Sequence, residues 1–150
     1  MKRRTLLQAF PMAAFLPTSL WAGSQRNYDH PVQGSTTVYE LRIYQAVPGK
    51  LAELLARFRE HTSKLFDRHG MKNVAYWTAV DEPRKSDTLI YILEHPSREA
   101  AAANWKSFED DPEWKSVRDK SEASGKLVER VDSTFHALTD FSPPLHNKNR

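Results

Sequence analysis

The stretch VYELRIYQAVPGKLAELLARF, residues 38–58, joins a strand pattern to a helix pattern through a single turn. Residues 38–44 alternate between two kinds of side chain, as the residues of a strand do when they point to opposite faces. Pro48 and Gly49 then end the alternation, because both residue types favour turns. The leucines that follow recur at intervals of three and four, which is typical of one face of a helix. We therefore predict a strand–turn–helix unit, which the rest of the domain must cover.

The two faces of this first strand differ in chemistry. One face consists of Tyr39, Leu41 and Ile43. The opposite face consists of Glu40, Arg42 and Tyr44. Because apolar side chains favour burial, we expect the first face to pack beneath the helices. The second face is polar but bulky, and Glu40 and Arg42 lie close enough on it to form an ion pair.

The residues after the turn predict one helix and two further strands. An amphipathic helix is predicted over residues 50–69, with Gly70 as the residue that ends it. Strands are predicted over residues 72–80 and 88–95, joined by the polar turn DEPRKSD, residues 81–87. The second of these strands, TLIYILEH, is almost entirely apolar. That composition predicts a central strand that is covered on both faces.

A second helical region and a last strand complete the domain. Ser97 is a suitable N-cap, and Asp111 with Pro112 restarts the helix, which we expect to end near Gly125. A last strand is predicted over residues 127–139. The order βαββαβ predicts an α+β fold of the ferredoxin-like split βαβ type, with both helical regions on one face. A second protomer is the simplest cover for the other face, so we expect a homodimer.

The charge of the chain is concentrated at its beginning. Residues 1–22 contain Lys2, Arg3 and Arg4 and no acidic residue, so the remainder has 19 basic and 19 acidic residues. A neutral remainder lacks the positive surface that nucleic-acid binding requires. The basic start, an apolar run and small residues near Ala22 predict a signal peptide over residues 1–22. No membrane span is expected in the mature chain.

The paired arginines Arg3 and Arg4 precede Leu6 and Leu7 and resemble a twin-arginine export signal, with an ordinary secretory signal as the alternative. The twin-arginine resemblance, which we favour, implies a bacterial protein that is exported to the periplasm or the medium. Residues 23–36 are predicted to be a linker, residues 37–145 the domain, and residues 146–150 a disordered tail. At 150 residues, the chain has room for one domain.

Several kinds of site lack the residues that they need. The chain has no cysteine, which excludes disulfides, thiolate nucleophiles and iron–sulfur clusters. Its six histidines show no HxH or HExxH spacing, so no metal is predicted. No motif for haem attachment is present either, and we predict no cofactor. Neither a glycine-rich phosphate loop nor a G-x-S-x-G motif is present.

The best candidate for a ligand site is a set of polar and aromatic residues on the strands. It consists of Glu40, Arg42, Tyr44, Tyr76, Trp77 and His136. Arg42 could grip a carboxylate, and His136 could exchange a proton near neutral pH. The simpler interpretation, which we favour, is an internal Glu40–Arg42 ion pair with tyrosines packed around it. Trp105 and Trp114 lie on apolar helix faces and are expected in the core.

Several phrases of the sequence resemble the NIPSNAP family. They are the stretch from VYELRIYQAVPGK to DRHGM, then AYWTAV, then HPSREAAAANWKSFEDDPEWKSVRDKSE, and the closing DFSPPL. Together they cover most of residues 37–145. The resemblance implies a dimeric α/β barrel, in which two ferredoxin-like protomers pair sheet to sheet. The turn DEPRKSD departs from the glycine-rich turn common in the family, and the family implies no settled activity.

Three hypotheses about function remain open. The first is a small-molecule binding or interaction module with a small pocket in each protomer. The second is a cofactor-free dimeric-barrel enzyme, of monooxygenase or isomerase type, that acts on a small aromatic or organic acid with His136 or Tyr44 handling protons. The third is a purely structural dimer. A water-excluding cavity with Arg42 or His136 aimed into it would favour the enzyme. Paired groups and a filled cavity would favour the module, and the absence of any cavity would favour the structural dimer.

Overall fold

The computed structural model describes residues 36–145. The predicted signal peptide, the predicted tail and all but the last residue of the predicted linker lie outside the described residues. Within residues 36–145, no helix has both the length and the apolar character needed to cross a membrane.

The described chain forms four strands and four α-helices in an α+β arrangement. The strands are β1 (Val38–Ala46), β2 (Lys72–Thr78), β3 (Thr88–His95) and β4 (Val128–His136). The helices are α1 (Leu51–Arg57), α2 (Ser63–Arg68), α3 (Arg98–Asp110) and α4 (Pro112–Ser121). A π-helical turn, Phe58–Thr62, joins α1 to α2, and a short 3₁₀ turn, Arg84–Ser86, lies between β2 and β3.

The four strands form one antiparallel sheet in the order β2-β3-β1-β4. The predicted central position of β3 is therefore confirmed, β1 is the other central strand, and the order is the one expected of a ferredoxin-like motif. Arg42 lies at the middle of the sheet, opposite Tyr91 of β3 and Ser133 of β4. This register puts side chains from three strands beside one another on the same face.

Local sequence signals explain where α3 and α4 begin. The Ser97 hydroxyl accepts a hydrogen bond from the Ala100 amide at 3.1 Å, and the Asp111 carboxylate accepts one from the Glu113 amide at 2.7 Å. Both caps satisfy amides that a helix start leaves without a partner. The ends are less well predicted. Helix α4 stops at Ser121 rather than near residue 125, and β4 stops at His136 rather than at residue 139.

The long helix predicted over residues 50–69 is interrupted by the π-helical turn. The amide of Ser63 donates to the carbonyl of Phe58, five residues earlier, which widens the helix at this point. The buried Thr62 hydroxyl also donates to the Arg57 carbonyl at 3.2 Å. Pattern analysis did not predict this turn, because the apolar stripe continues on both sides of it.

The core lies between the helices and one face of the sheet, with Tyr91 of β3 fully buried at its centre. Four aromatic rings surround Tyr91 at centroid distances of 5.2 to 5.9 Å. They belong to Tyr44, Phe58, Phe66 and Tyr76. Aliphatic side chains close the core on either side: Leu54, Leu65, Met71, Leu89, Leu93 and Leu127.

The predicted orientation of β1 is wrong. Glu40 is only 1% exposed and bonds to Trp105 of α3, so the face that it shares with Arg42 and Tyr44 lies beneath the helices. The face of Tyr39, Leu41 and Ile43 therefore points away from them. Alternation identifies the two faces of a strand, but a carboxylate is tolerated inside when every oxygen is hydrogen-bonded.

The second face of the sheet, which we call the open face, is not covered by any helix of residues 36–145. Its centre consists of Leu41, Ile43, Ile90 and Ile92, all half-buried. Within one protomer, β3 is thus covered on one face only, whereas its apolar sequence predicted cover on both. The open face remains the least protected apolar surface of the sheet.

Candidate functional site

Glu40 is the centre of a buried polar cluster. Its Oε1 atom accepts hydrogen bonds from Arg42 and Ser133, both at 2.6 Å. Its Oε2 atom accepts from the Trp105 indole at 2.7 Å and from His95 Nε2 at 3.1 Å. Burial by itself raises the pKa of the Glu40 carboxyl, but the bonds from His95, Ser133 and Trp105 and the charge of Arg42 outweigh it and lower that pKa to about 2. Glu40 is therefore ionised at neutral pH.

The Arg42 guanidinium is committed to partners within the protein. It bonds to Glu40, donates to the Tyr44 hydroxyl at 3.3 Å, and lies 4.2 Å from the centroid of the Trp105 ring. Burial disfavours its charge, but Tyr91, Tyr44 and Glu40 outweigh that effect and raise the pKa of Arg42. The ion pair that the sequence allowed is present, so the guanidinium already has a carboxylate partner. Its Nε atom is buried and has no hydrogen-bond partner among residues 36–145.

The other predicted site residues divide between the two faces of the sheet. Tyr76 lies on the helix-covered face, where its ring stacks on Tyr91 and its hydroxyl donates to Asn73. Burial raises the pKa of Tyr76. Trp77 follows it on the open face and is 48% exposed. His136 is also on the open face, exposed at the end of β4 and bonded to Thr134 at 2.8 Å.

The structure thus brings together Glu40, Arg42 and Tyr44, with Tyr76 reached through the ring of Tyr91. Trp77 and His136 are separated from them by the thickness of the sheet. The reason is the two-residue period of a strand, which sends neighbours such as Tyr76 and Trp77 to opposite sides. The predicted set of six residues does not form one site.

A pocket that opens between the helices and the sheet lies beside this aromatic core. We call it the helix–sheet pocket, and its volume is about 200 Å³. It is lined by Leu55, Phe58, Arg59, Ser63, Tyr76 and Leu89. Of the predicted set only Tyr76 reaches it, and the sequence analysis missed the others. The four-residue spacing of Leu55, Arg59 and Ser63 is a signal that could have placed them on one helix edge.

A second pocket, of about 240 Å³, lies on the open face beneath the β2–β3 turn. It is lined by Ile43, Gln45, Pro83, Arg84, Asp87, Thr88, Arg130 and Asp132. Its polar groups largely satisfy one another. Arg130 pairs with Asp132 at 3.1 Å, and the Asp87 carboxylate accepts from Thr88 at 2.6 Å and from Gln45 at 3.3 Å. Residues of DEPRKSD, the turn that departs from the family pattern, thus border a pocket.

One surface cluster has the residue order of a Ser-His-Asp triad. His69 lies between the Ser107 hydroxyl, 2.9 Å from Nδ1, and the Asp111 carboxylate, 2.7 Å from Nε2. Arg68 also bonds to Asp111 at 2.7 Å, and these contacts keep the pKa of Asp111 well below its usual range. Ser107 lies inside α3, where the backbone amides serve the helix itself and do not form an oxyanion hole. The cluster fastens the end of α2 to α3 and α4.

Within residues 36–145, no three His, Asp or Glu side chains are grouped as a metal site.

Sequence reasoning also missed the partners of Glu40. Trp105 was expected only to fill the core, yet it donates a hydrogen bond across the helix–sheet interface. No periodic pattern predicts such a contact.

Comparisons with known proteins identify relatives by structure. A NIPSNAP-like domain protein from Burkholderia xenovorans superposes with a TM-score of 0.64 at 19% identity, over 75% of this chain and 94% of its own. A NIPSNAP family protein of unknown function from Agrobacterium tumefaciens gives a TM-score of 0.64 at 19% identity, over 76% and 97%. A monooxygenase from Streptomyces coelicolor, in complex with nanaomycin D, gives 0.51 at 12% identity, over 73% and 94%.

These identities are low, so the structural matches establish a shared fold and no more. No curated protein matches the chain. The NIPSNAP family model, by contrast, matches residues 39–143, which is nearly all of the described domain. The resemblance drawn from the sequence is confirmed, and the chain belongs to the NIPSNAP family.

Proposed function

We propose that this protein is a small-molecule binding module and that the helix–sheet pocket is its binding site. The observation that carries the proposal is the contrast between two neighbouring regions. In the Glu40–Arg42 cluster the two charged groups bond to each other, whereas the helix–sheet pocket is open and mainly apolar, with a few polar groups at its edge. That combination is typical of sites for small ligands.

The residues that line the helix–sheet pocket argue against the enzyme alternative. A proton-transferring enzyme needs a group near its pocket that changes protonation state around neutral pH. Arginine as a residue type is not a proton-transfer group near neutral pH, and burial raises the pKa of Tyr76, so neither of these two lining residues meets that requirement. Two residues were named for this role. His136 lies on the open face. Tyr44 lies in the aromatic core, where its ring packs against Phe58 and Tyr91, and it does not line the pocket. Likeness to the Streptomyces monooxygenase is a likeness of fold alone.

We also propose that a second copy of the chain covers the open face and forms the homodimeric barrel that the family resemblance implies. Support comes from the half-buried aliphatic centre of that face, Leu41, Ile43, Ile90 and Ile92. Charged pairs flank this centre, such as Lys72 with Glu94 on one side and Arg130 with Asp132 on the other. An apolar centre with a polar rim is typical of a protein interface.

We also propose, from residues 1–22, that the protein is exported to the periplasm or the medium.

Native mass spectrometry of protein purified from an exporting host tests both proposals. We expect a mass of two mature chains, with a reproducible small adduct or with binding of members of a fragment library. A monomer would refute the dimer, and an empty chain that binds no fragment would refute the module. Leu55→Trp fills the pocket and should abolish binding, whereas Ala52→Trp, at an exposed position of the same helix, should not.

A further inference from the structure

We propose that the helix–sheet pocket binds a small monocarboxylic acid, with the apolar body of the acid inside the pocket and its carboxylate on Arg59. The inference rests on the proposed function, because it names the ligand class of the same pocket. Three features carry it: an arginine with no ion-pair partner among residues 36–145, a hydroxyl beside it, and an apolar interior of limited size.

Arg59 differs from the arginines next to it in the helical region. Arg57 is buried and bonds to Glu122 at 2.9 Å and to Ser121 at 3.2 Å. Arg68 bonds to Asp111 and Glu113. Arg59, however, has no carboxylate within ion-pair distance among residues 36–145, although its side chain lines the pocket. An unpaired guanidinium beside an apolar hollow offers charge-assisted hydrogen bonds to a ligand carboxylate.

The hydroxyl of Ser63 supplies a second donor at the same edge. It lies four residues after Arg59, the spacing that puts two side chains on one side of a helix. Within the described chain its Oγ atom makes no hydrogen bond, while its carbonyl accepts one from Asn73 at 2.9 Å. The Tyr76 hydroxyl already donates to Asn73, so the free donors of the pocket are Arg59 and Ser63. Both can donate a hydrogen bond to a carboxylate, and the charge of Arg59 favours an anion over a neutral ligand.

The π-helical turn is what supplies this edge. Phe58 and Arg59 are its first two residues, and Ser63 follows its last residue and donates its amide hydrogen to the Phe58 carbonyl. Single π-helical turns within α-helices occur frequently at functional sites. Here the turn contributes a buried ring to the pocket wall and an exposed charge to the pocket edge.

The interior limits the size and the polarity of the ligand. Leu55, Phe58 and Leu89 form the apolar walls with the ring of Tyr76, which is 6.0 Å from that of Phe58. The volume of about 200 Å³ is below the range of about 300 to 1,000 Å³ found for drug-sized ligands. A single ring or a short branched chain is therefore the body that fits, with one carboxylate at the edge.

Three probes of matching shape and different charge test the ligand class. They are benzoate, benzyl alcohol and benzylammonium, titrated into the full mature chain and followed by NMR and calorimetry. We expect benzoate to bind about tenfold more tightly than benzyl alcohol, and benzylammonium to bind most weakly. Arg59→Gln should lower the benzoate affinity about tenfold. Arg118→Gln removes an equal charge from an exposed pair on α4 and should leave that affinity unchanged.

The possible outcomes distinguish failure of this inference from failure of the proposed binding function on which it rests. If none of the probes binds, the pocket is not a binding site, and both ideas fail. If benzyl alcohol binds as tightly as benzoate and Arg59→Gln has no effect, the pocket binds ligands but the acid class is wrong. Tightest binding of benzylammonium would also overturn the acid class. Loss of all binding in Leu55→Trp, with retained folding, would place the probes in this pocket.

Discussion

Replacing Glu40 by alanine removes the acceptor that holds the buried polar cluster together. Arg42, Trp105, Ser133 and His95 would all lose a hydrogen-bond acceptor, and Arg42 would keep a buried charge without its counter-ion. Removing one partner of a buried ion pair costs about 3 to 5 kcal/mol. We therefore expect Glu40→Ala to lower the free energy of unfolding by about that amount.

The pKa of Glu40 leads independently to a similar magnitude. A carboxyl whose pKa falls from 4.5 to about 2 on folding contributes about 3 kcal/mol of stability at neutral pH. Because the folded pKa is the lower one, this contribution is complete above pH 4.5 and is lost as the pH falls towards 2. The difference in stability between the wild type and Glu40→Ala should therefore narrow over the same interval.

Urea denaturation at several pH values measures these quantities. Glu53→Ala is the matched control, because Glu53 is also ion-paired, with Lys50 at 2.8 Å, but is exposed and should cost less than about 1 kcal/mol. The double variant Glu40→Leu with Arg42→Met should recover most of the loss, since no unpaired charge remains. A cost below about 1 kcal/mol for Glu40→Ala, or a gap that stays constant between pH 7 and 2, would refute the reasoning.

Three further predictions concern other parts of the chain. His69→Ala should lower the free energy of unfolding by about 1 to 2 kcal/mol, because it removes the bonds to Ser107 and Asp111. Lys106→Ala, in an exposed ion pair, should lower it by less than about 0.5 kcal/mol. Equal losses in urea denaturation would argue against a role of His69 in holding α2 against α3 and α4. Ile92→Glu puts a charge at the centre of the open face and should convert a dimer to a monomer in light scattering, and an unchanged dimer would place the interface elsewhere. Arg3→Lys combined with Arg4→Lys should block export of a folded reporter, and continued export would indicate the ordinary secretory route.

The order of the elements was predictable from local patterns. The bounds of β3 agree with the prediction, and the caps at Ser97 and Asp111 form as expected. These features depend on residues within a few positions of one another, so a sequence window contains all the information. The π-helical turn was not predictable, because its apolar stripe is compatible with a continuous helix and the choice depends on packing.

The candidate site was predicted only in part, and the failures share one cause. The sequence identifies Glu40, Arg42 and Tyr44 as one face of a strand, and that grouping holds. The prediction put this face on the side of the sheet away from the helices, because a polar composition is normally a sign of exposure, and that placement is wrong. The face is buried because hydrogen-bond donors from distant parts of the chain satisfy the Glu40 carboxylate.

The sequence alone was enough for the family, the strand and helix order, and the two faces of each strand, because periodicity and capping act over short distances. Which face is buried, and where a pocket opens, depended on contacts between distant residues. Trp105 lies 65 positions from Glu40, and Ser133 lies 93 positions from it, yet both bond to its carboxylate. A buried charge is stable only when such partners converge on it, and convergence is a property of the folded chain.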